Sequence, residues 1–151
     1  MKEGDVLEIE DGGRGVLRIP AVALRDAVVH ATGSVNEVCG FFVRRDERDS
    51  VVYRQGRNAS GDPGRTFKID TDEIVKVVDE DGMEIVALFH SHPRGELRPS
   101  TVDFASFPSH YTQHGLIYVG GGLGQLVHYD GTGIYEIVYG VDSVKGLIWE
   151  P

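Results

Sequence analysis

Cysteine is almost missing from this chain: Cys39 is the one example in 151 residues, so no disulfide can form within it. Nothing therefore points to a small secreted scaffold held by staples. No apolar run approaches the ~20 residues a helix needs to cross a bilayer. Basic residues are also scarce, 15 against 24 acids, giving a net charge of −9 with histidine neutral. That balance argues against a nucleic-acid backbone or an anionic membrane as the main partner. Internal repeats, low-complexity tracts and linkers are lacking too. The opening MKEGDVLEIEDGG is acidic and has no apolar core of the signal-peptide kind. The expectation is a soluble, cytoplasmic protein whose length suits one domain over 1–151. Its motif-bearing core would span 20–140, preceded by an extension or hairpin at 1–19 and followed by a tail at 141–151.

What the chain does have is a sequence of short periodic segments. Residues 4–19 alternate weakly around Asp11-Gly12-Gly13, which suggests a hairpin. Pro20 is placed to open a helix carrying Leu24, Ala27, Val28 and Ala31 at helical spacing, with Gly33 at its end. Strands are expected at 37–43 and 51–53, joined by the polar turn 44–49. Residues 58–65 read as a loop, and 66–69 as a further short strand. Asp70 to Glu73 has the spacing of a capping box before a second helix that buries Ile74, Val77 and Val78. Ile85 to Phe89 is apolar without a break, so both its faces should be covered in mid-sheet. A third helix is expected from Ser100 to about Gln113. Strands at 116–119, 125–129 and 134–138 follow, and the Gly120 to Gly124 run is a hairpin turn, lacking the Lys-Ser/Thr ending of a phosphate loop. The fold class is α/β (α+β): one mixed sheet with about three helices.

Chemistry concentrates at His90-Ser91-His92-Pro93. Histidines at i and i+2 of a strand share a face and can grip one ion, while Ser91 points away. Pro93 stops the strand, since it cannot donate to a ladder. Asp103, eleven residues past His92, can return as a third and anionic ligand. Two histidines and an aspartate hold a divalent ion and leave a position open for water. Ser100-Thr101-Val102-Asp103 is equally a capping box, and the two readings are compatible because a first helical turn holds a carboxylate rigidly. A metal-activated water needs a base, and Glu37 stands at the head of an apolar strand where a buried carboxylate is costly. It reads either as that base or as the strand's exposed start. Cys39 reads as a buried, inert thiol, Gly40 as a point of close packing, and His30, His110, His114 and His128 as surface or packing residues.

Glu37-Val38-Cys39-Gly40, His90-Ser91-His92-Pro93 and Ser100-Thr101-Val102-Asp103 together resemble the motif of the JAMM (MPN+, JAB) metalloproteases. The seven-residue gap between His92 and Ser100 fits the pattern. Asn58-Ala59 and Phe67-Lys68-Ile69-Asp70 look like the segment bacterial members carry between the glutamate and histidine strands. The resemblance covers roughly 20–140 and implies a JAB/MPN-like, cytidine-deaminase-like sandwich. It further implies Zn²⁺ on His90, His92 and Asp103, Glu37 as general base, and Ser100 as a donor to the oxyanion. The implied substrate is the C-terminal tail of a ubiquitin-like or sulfur-carrier protein. Other branches of the resemblance are a phage tail assembly protein, a metal-free scaffold, and a RadC-like DNA-associated protein. The last two fit less well: all five positions are present, and the Glu-x-Cys-Gly strand and acidic balance favour a peptidase. Outside the family, two His and one Asp also form a facial triad for non-haem iron.

Overall fold

The computed structural model describes residues 6–10 and 16–139. In chain order its strands are β1 (Val6–Glu10), β2 (Val16–Pro20), β3 (Cys39–Arg44), β4 (Val52–Gln55), β5 (Glu84–His92), β6 (Gly115–Val119), β7 (Gln125–Tyr129) and β8 (Tyr135–Tyr139). Its α-helices are α1 (Ala21–Thr32), α2 (Thr71–Val75, continued by a π turn over Lys76–Glu80) and α3 (Thr101–Ala105). β1 and β2 form the expected antiparallel pair, with Val6 opposite Pro20. The other six strands make one mixed sheet in the order β4-β3-β5-β6-β7-β8.

The Ile85–Phe89 run places β5 inside that sheet, antiparallel to β3 and parallel to β6. Both its faces are covered, as a continuous apolar strand requires. On one face, Ala87 and Phe89 meet Leu24, Ala27, Val28 and Ala31 of α1. On the other, Leu88 packs with Phe41 of β3, Ile74 of α2 and Val77. Ile117, Val119, Val127 and Tyr129 extend that second face toward Phe104 and Phe107. Burying these side chains is worth roughly 1.5–3 kcal/mol each before chain entropy is charged. The turn between β6 and β7 needs left-handed backbone at Gly121 and Gly122, with φ of 66° and 88°.

Four expectations change in the structure. The strand at 66–69 is reduced to one isolated bridge, Asn58 to Ile69. The Asn58 side chain has taken the segment's backbone groups: Nδ2 donates to the Thr66 carbonyl at 2.9 Å, and Oδ1 accepts the Lys68 N–H at 3.1 Å. A side chain that bonds locally in this way competes with a ladder. The third helix ends at Ala105 instead of near Gln113. Pro108 disfavours helical backbone at Phe107 and brings no N–H of its own, so the chain turns there. The box at Asp70 is half made: its carboxylate accepts the Asp72 N–H at 3.0 Å, while Glu73 accepts instead from the Arg57 amide at 2.7 Å. Residues 37 and 38 also precede β3, which begins at Cys39. The segment Gly146–Trp149, which in sequence reads as a final packing strand or a contact surface, lies outside the described residues.

Candidate metal centre

β5 carries His90 and His92 to its C-terminal end, where the partner strand β6 continues alongside to Val119. Their Nε2 atoms stand 3.2 Å apart and both rings are buried. Ser91 points the other way, and its hydroxyl accepts the Val38 N–H at 2.9 Å. The Ser91 N–H returns a bond to the Val38 carbonyl at 3.1 Å, which ties the chain just after Glu37 to the histidine strand. Asn58 holds the same stretch from the far side, its Nδ2 donating to the Glu37 carbonyl at 2.8 Å. The Glu37 N–H donates to the Pro63 carbonyl at 2.8 Å. Glu37 is therefore no exposed strand start; it is 6 % exposed and its backbone is fixed at both ends.

Asp103 completes the cluster from α3. Both halves of the Ser100 capping box are present: the Asp103 N–H donates to Ser100 Oγ at 3.0 Å, and the Ser100 N–H donates to Asp103 Oδ2 at 2.8 Å. The same Oδ2 lies 3.2 Å from His90 Nε2 and 3.1 Å from His92 Nε2. The cap is made, and the same carboxylate oxygen stands where a ligand atom would. Glu37, His90, His92 and Asp103 all offer a ligand atom within 4.8 Å of one another, and all four are buried.

The donor set fits a metal ion on its own chemistry. His92 Nδ1 faces the Glu96 carbonyl oxygen at 2.7 Å, which can only accept, so Nδ1 carries the proton and Nε2 presents a lone pair. His90 Nδ1 lies 3.4 Å from the Tyr129 hydroxyl, leaving its Nε2 toward the same point. Two imidazole nitrogens and a carboxylate oxygen converging this closely can be bridged by a cation, or by protons when no ion is bound. Their mutual distances of 3.1 to 3.2 Å are near the roughly 3.3 Å edge of a tetrahedron with ~2.0–2.1 Å bonds.

Charge in the metal-free cluster follows from the same contacts. Burial favours the neutral form of Asp103, but hydrogen bonds from His90, His92 and the Ser100 amide hold its carboxyl well below the usual range. Burial lowers His90 below the ordinary histidine value. It also pushes His92 down, yet bonds to Asp103 and the Glu96 carbonyl reverse the sign and raise it. Glu37 is pushed up to about 7, chiefly by burial, with His92 opposing and Asp103 and Glu96 adding to the rise. The Cys39 thiol is pushed up to about 12, first by burial and then by Glu73, as an inert buried thiol should be.

Residues 20–130 match the family described as prokaryotic homologs of the JAB domain. This chain belongs to that family. The JAB domain also matches the solution structure of protein DSY2949 from Desulfitobacterium hafniense, with 24 % identity and a TM-score of 0.55, over 76 % of this chain and 84 % of that one. A second match, AF2198 from Archaeoglobus fulgidus, is a JAB1/MPN domain protein with 13 % identity and a TM-score of 0.45, over 77 % of this chain and 90 % of that one. No curated protein matches the sequence. Among the described residues no helix is long and apolar enough to cross a membrane.

Several residues around the JAB centre escaped the sequence. Phe67 stacks on the His90 ring with centroids 4.1 Å apart, and Tyr129 meets that ring edge-on at 5.7 Å. Gly115 sits opposite Tyr129 in the β6–β7 pair, and a Cβ there would run into the tyrosine ring. Gly115→Ala is expected to cost about 1–3 kcal/mol in urea unfolding, because the ring is held in a packed core. It should also disturb the His90 ring by shifting the hydroxyl beside it. A variant as stable as wild type would mean the ring gives way freely. Of the histidines read as surface or packing residues, His30 Nδ1 bonds the Tyr53 hydroxyl at 2.7 Å, His114 meets His128 at 3.0 Å, and His110 is exposed.

Proposed function

We propose that this JAB domain is a zinc-dependent peptidase or isopeptidase that hydrolyses an amide bond. Its substrate would be the C-terminal tail of a ubiquitin-like or sulfur-carrier protein in the cytoplasm. The observation that carries the reading is Glu37: a buried carboxylate with a pKa near 7, within 4.8 Å of three ligand-type atoms. As a fourth ligand Glu37 would close a structural site; held near neutrality it is suited instead to carrying protons beside an open one. His90, His92 and Asp103 would hold the ion, leaving Glu37 free to handle protons. The chemistry a zinc ion supplies there is Lewis acidity toward a water molecule and a carbonyl oxygen. Glu37 takes one proton from the attacking water and delivers it to the amine nitrogen as the C–N bond breaks. Its pKa near neutrality suits both steps. Ser100 Oγ already accepts the Asp103 N–H, so its own O–H is left to donate to the carbonyl oxygen as charge builds there.

The first test is metal content. Purified protein, stripped and reloaded with zinc, should hold about one ion per chain, and His90→Ala should hold none. Ubiquitin-like fusions are then offered to both proteins. No binding by the wild type after reloading would end the metallopeptidase reading and leave a capped turn beside two histidines.

A further inference from the structure

In a protein of net charge −9, arginines generally find acids. Arg18, Arg44, Arg48, Arg54 and Arg57 each pair with a carboxylate. Arg65, Arg94 and Arg98 make no ion pair among the described residues, are exposed, and all line one pocket of about 390 Å³. That pocket is the one that also holds Glu37, His92 and Ser100. Arg65 comes from the loop before α2, whereas Arg94 and Arg98 come from the loop between β5 and α3, so the cations face the site from two sides. The Arg94 guanidinium reaches across to the first loop, where a Cβ on Gly64 would lie 3.9 Å from its Nη2. Arg98 spends only its Nε, on the Tyr135 hydroxyl at 3.2 Å.

We infer that this rim recognises a carboxylate-bearing peptide segment next to the amide bond being cut, an inference that rests on the amide-hydrolase reading above. Arginine cannot replace a metal ligand, but its planar fork matches a carboxylate through two parallel N–H bonds. Glu37 and Glu96 line the same pocket and repel acids, but the three arginines outnumber them. The surrounding negative field works against a nucleic-acid backbone, so a short acidic peptide is the better-matched anion. Exposed cations of this kind add selectivity and encounter rate, both weakened by salt. The carboxylate has two sources, Asp or Glu side chains or the free C-terminus of the peptide.

The test measures binding by fluorescence anisotropy on zinc-treated, full-chain Glu37→Gln protein, which should not consume its ligand. The probes are labelled short peptides: a Glu-rich one with an amidated end, its Gln counterpart with a free end, the Gln counterpart amidated, and a thymidine oligonucleotide. One or both of the carboxylate peptides should bind about tenfold tighter than the neutral amidated one at low salt, and which of them does so names the source. The preference should vanish at high salt and in the triple variant Arg65→Gln, Arg94→Gln, Arg98→Gln. It should survive Arg25→Gln with Arg45→Gln, arginines that also make no ion pair among the described residues but lie away from the pocket. Equal binding of all peptides, a preference untouched by the triple variant, or tighter binding of the oligonucleotide would each overturn the inference. Zinc content and cleavage by the wild-type chain are read separately. A chain that takes up no zinc yet keeps the arginine-dependent preference sinks the hydrolase reading alone; a zinc-loaded hydrolase indifferent to peptide charge sinks the arginine rim alone.

Discussion

Asp103→Ala is expected to purify without zinc and to unfold about 2–4 kcal/mol more easily than wild type. One oxygen carries three duties: Oδ2 accepts the Ser100 N–H at 2.8 Å and stands 3.2 and 3.1 Å from the two histidine Nε2 atoms. Removing it strips one half of the capping box, the acceptor of the Ser100 N–H, while Ser100 Oγ still caps the helix through the backbone N–H of residue 103. It also leaves His90 and His92 buried face to face without their counter-charge, which is the larger penalty. Asp103→Asn separates the duties. The amide oxygen can still accept the Ser100 N–H, so the helix should survive, but an uncharged ligand should bind zinc far more weakly. Metal analysis and urea titration of both variants give the answer. Zinc retained at full stoichiometry in Asp103→Ala would remove Asp103 from the ligand set and reduce it to a cap.

The parts of this site that lie close in sequence were legible from it. The run Ile85–Phe89 announced a covered strand, and alternation along His90-Ser91-His92 fixed which side chains converge. The Ser100 to Asp103 spacing revealed the cap, and the structure makes both halves of it. What could not be read depends on register between distant strands. Tyr129 reaches His90 only because β6 lies beside β5 in parallel and Gly115 leaves room for the ring. No local pattern around Tyr129 carries that information. Asn58 misled in the opposite direction: the 66–69 segment has strand composition, yet a side chain eight to ten residues upstream had claimed its backbone. The expected third helix ran through Pro108 to about Gln113, whereas in the fold the proline prevails and α3 ends at Ala105. Glu37 lay between these cases. Its position hinted at a cost; only the contacts of Pro63, Asn58 and Ser91 explain how a carboxylate is held there.

Glu37→Gln should keep one zinc per chain and its fold while slowing hydrolysis by about 10²–10⁴-fold, the range for loss of a positioned acid–base group. The substitution preserves size and hydrogen-bonding oxygen but cannot accept and return a proton near pH 7. It also predicts an effect that needs no substrate. In the metal-free protein the Glu37 pKa rises from 4.5 to about 7 on folding, mainly through burial. A raised folded-state pKa means the favourable contribution is intact below the unfolded value and is lost as pH climbs through the folded one. Wild type should therefore lose stability relative to Glu37→Gln between about pH 4.5 and pH 7, by about 3 kcal/mol, with a plateau above. Chemical denaturation of stripped protein across that range would reveal the gap opening. A constant difference at every pH would mean Glu37 ionises as freely as it does in the unfolded chain, and a base poised near neutrality would have to be sought elsewhere. An undiminished rate in Glu37→Gln would make the same point from the chemistry.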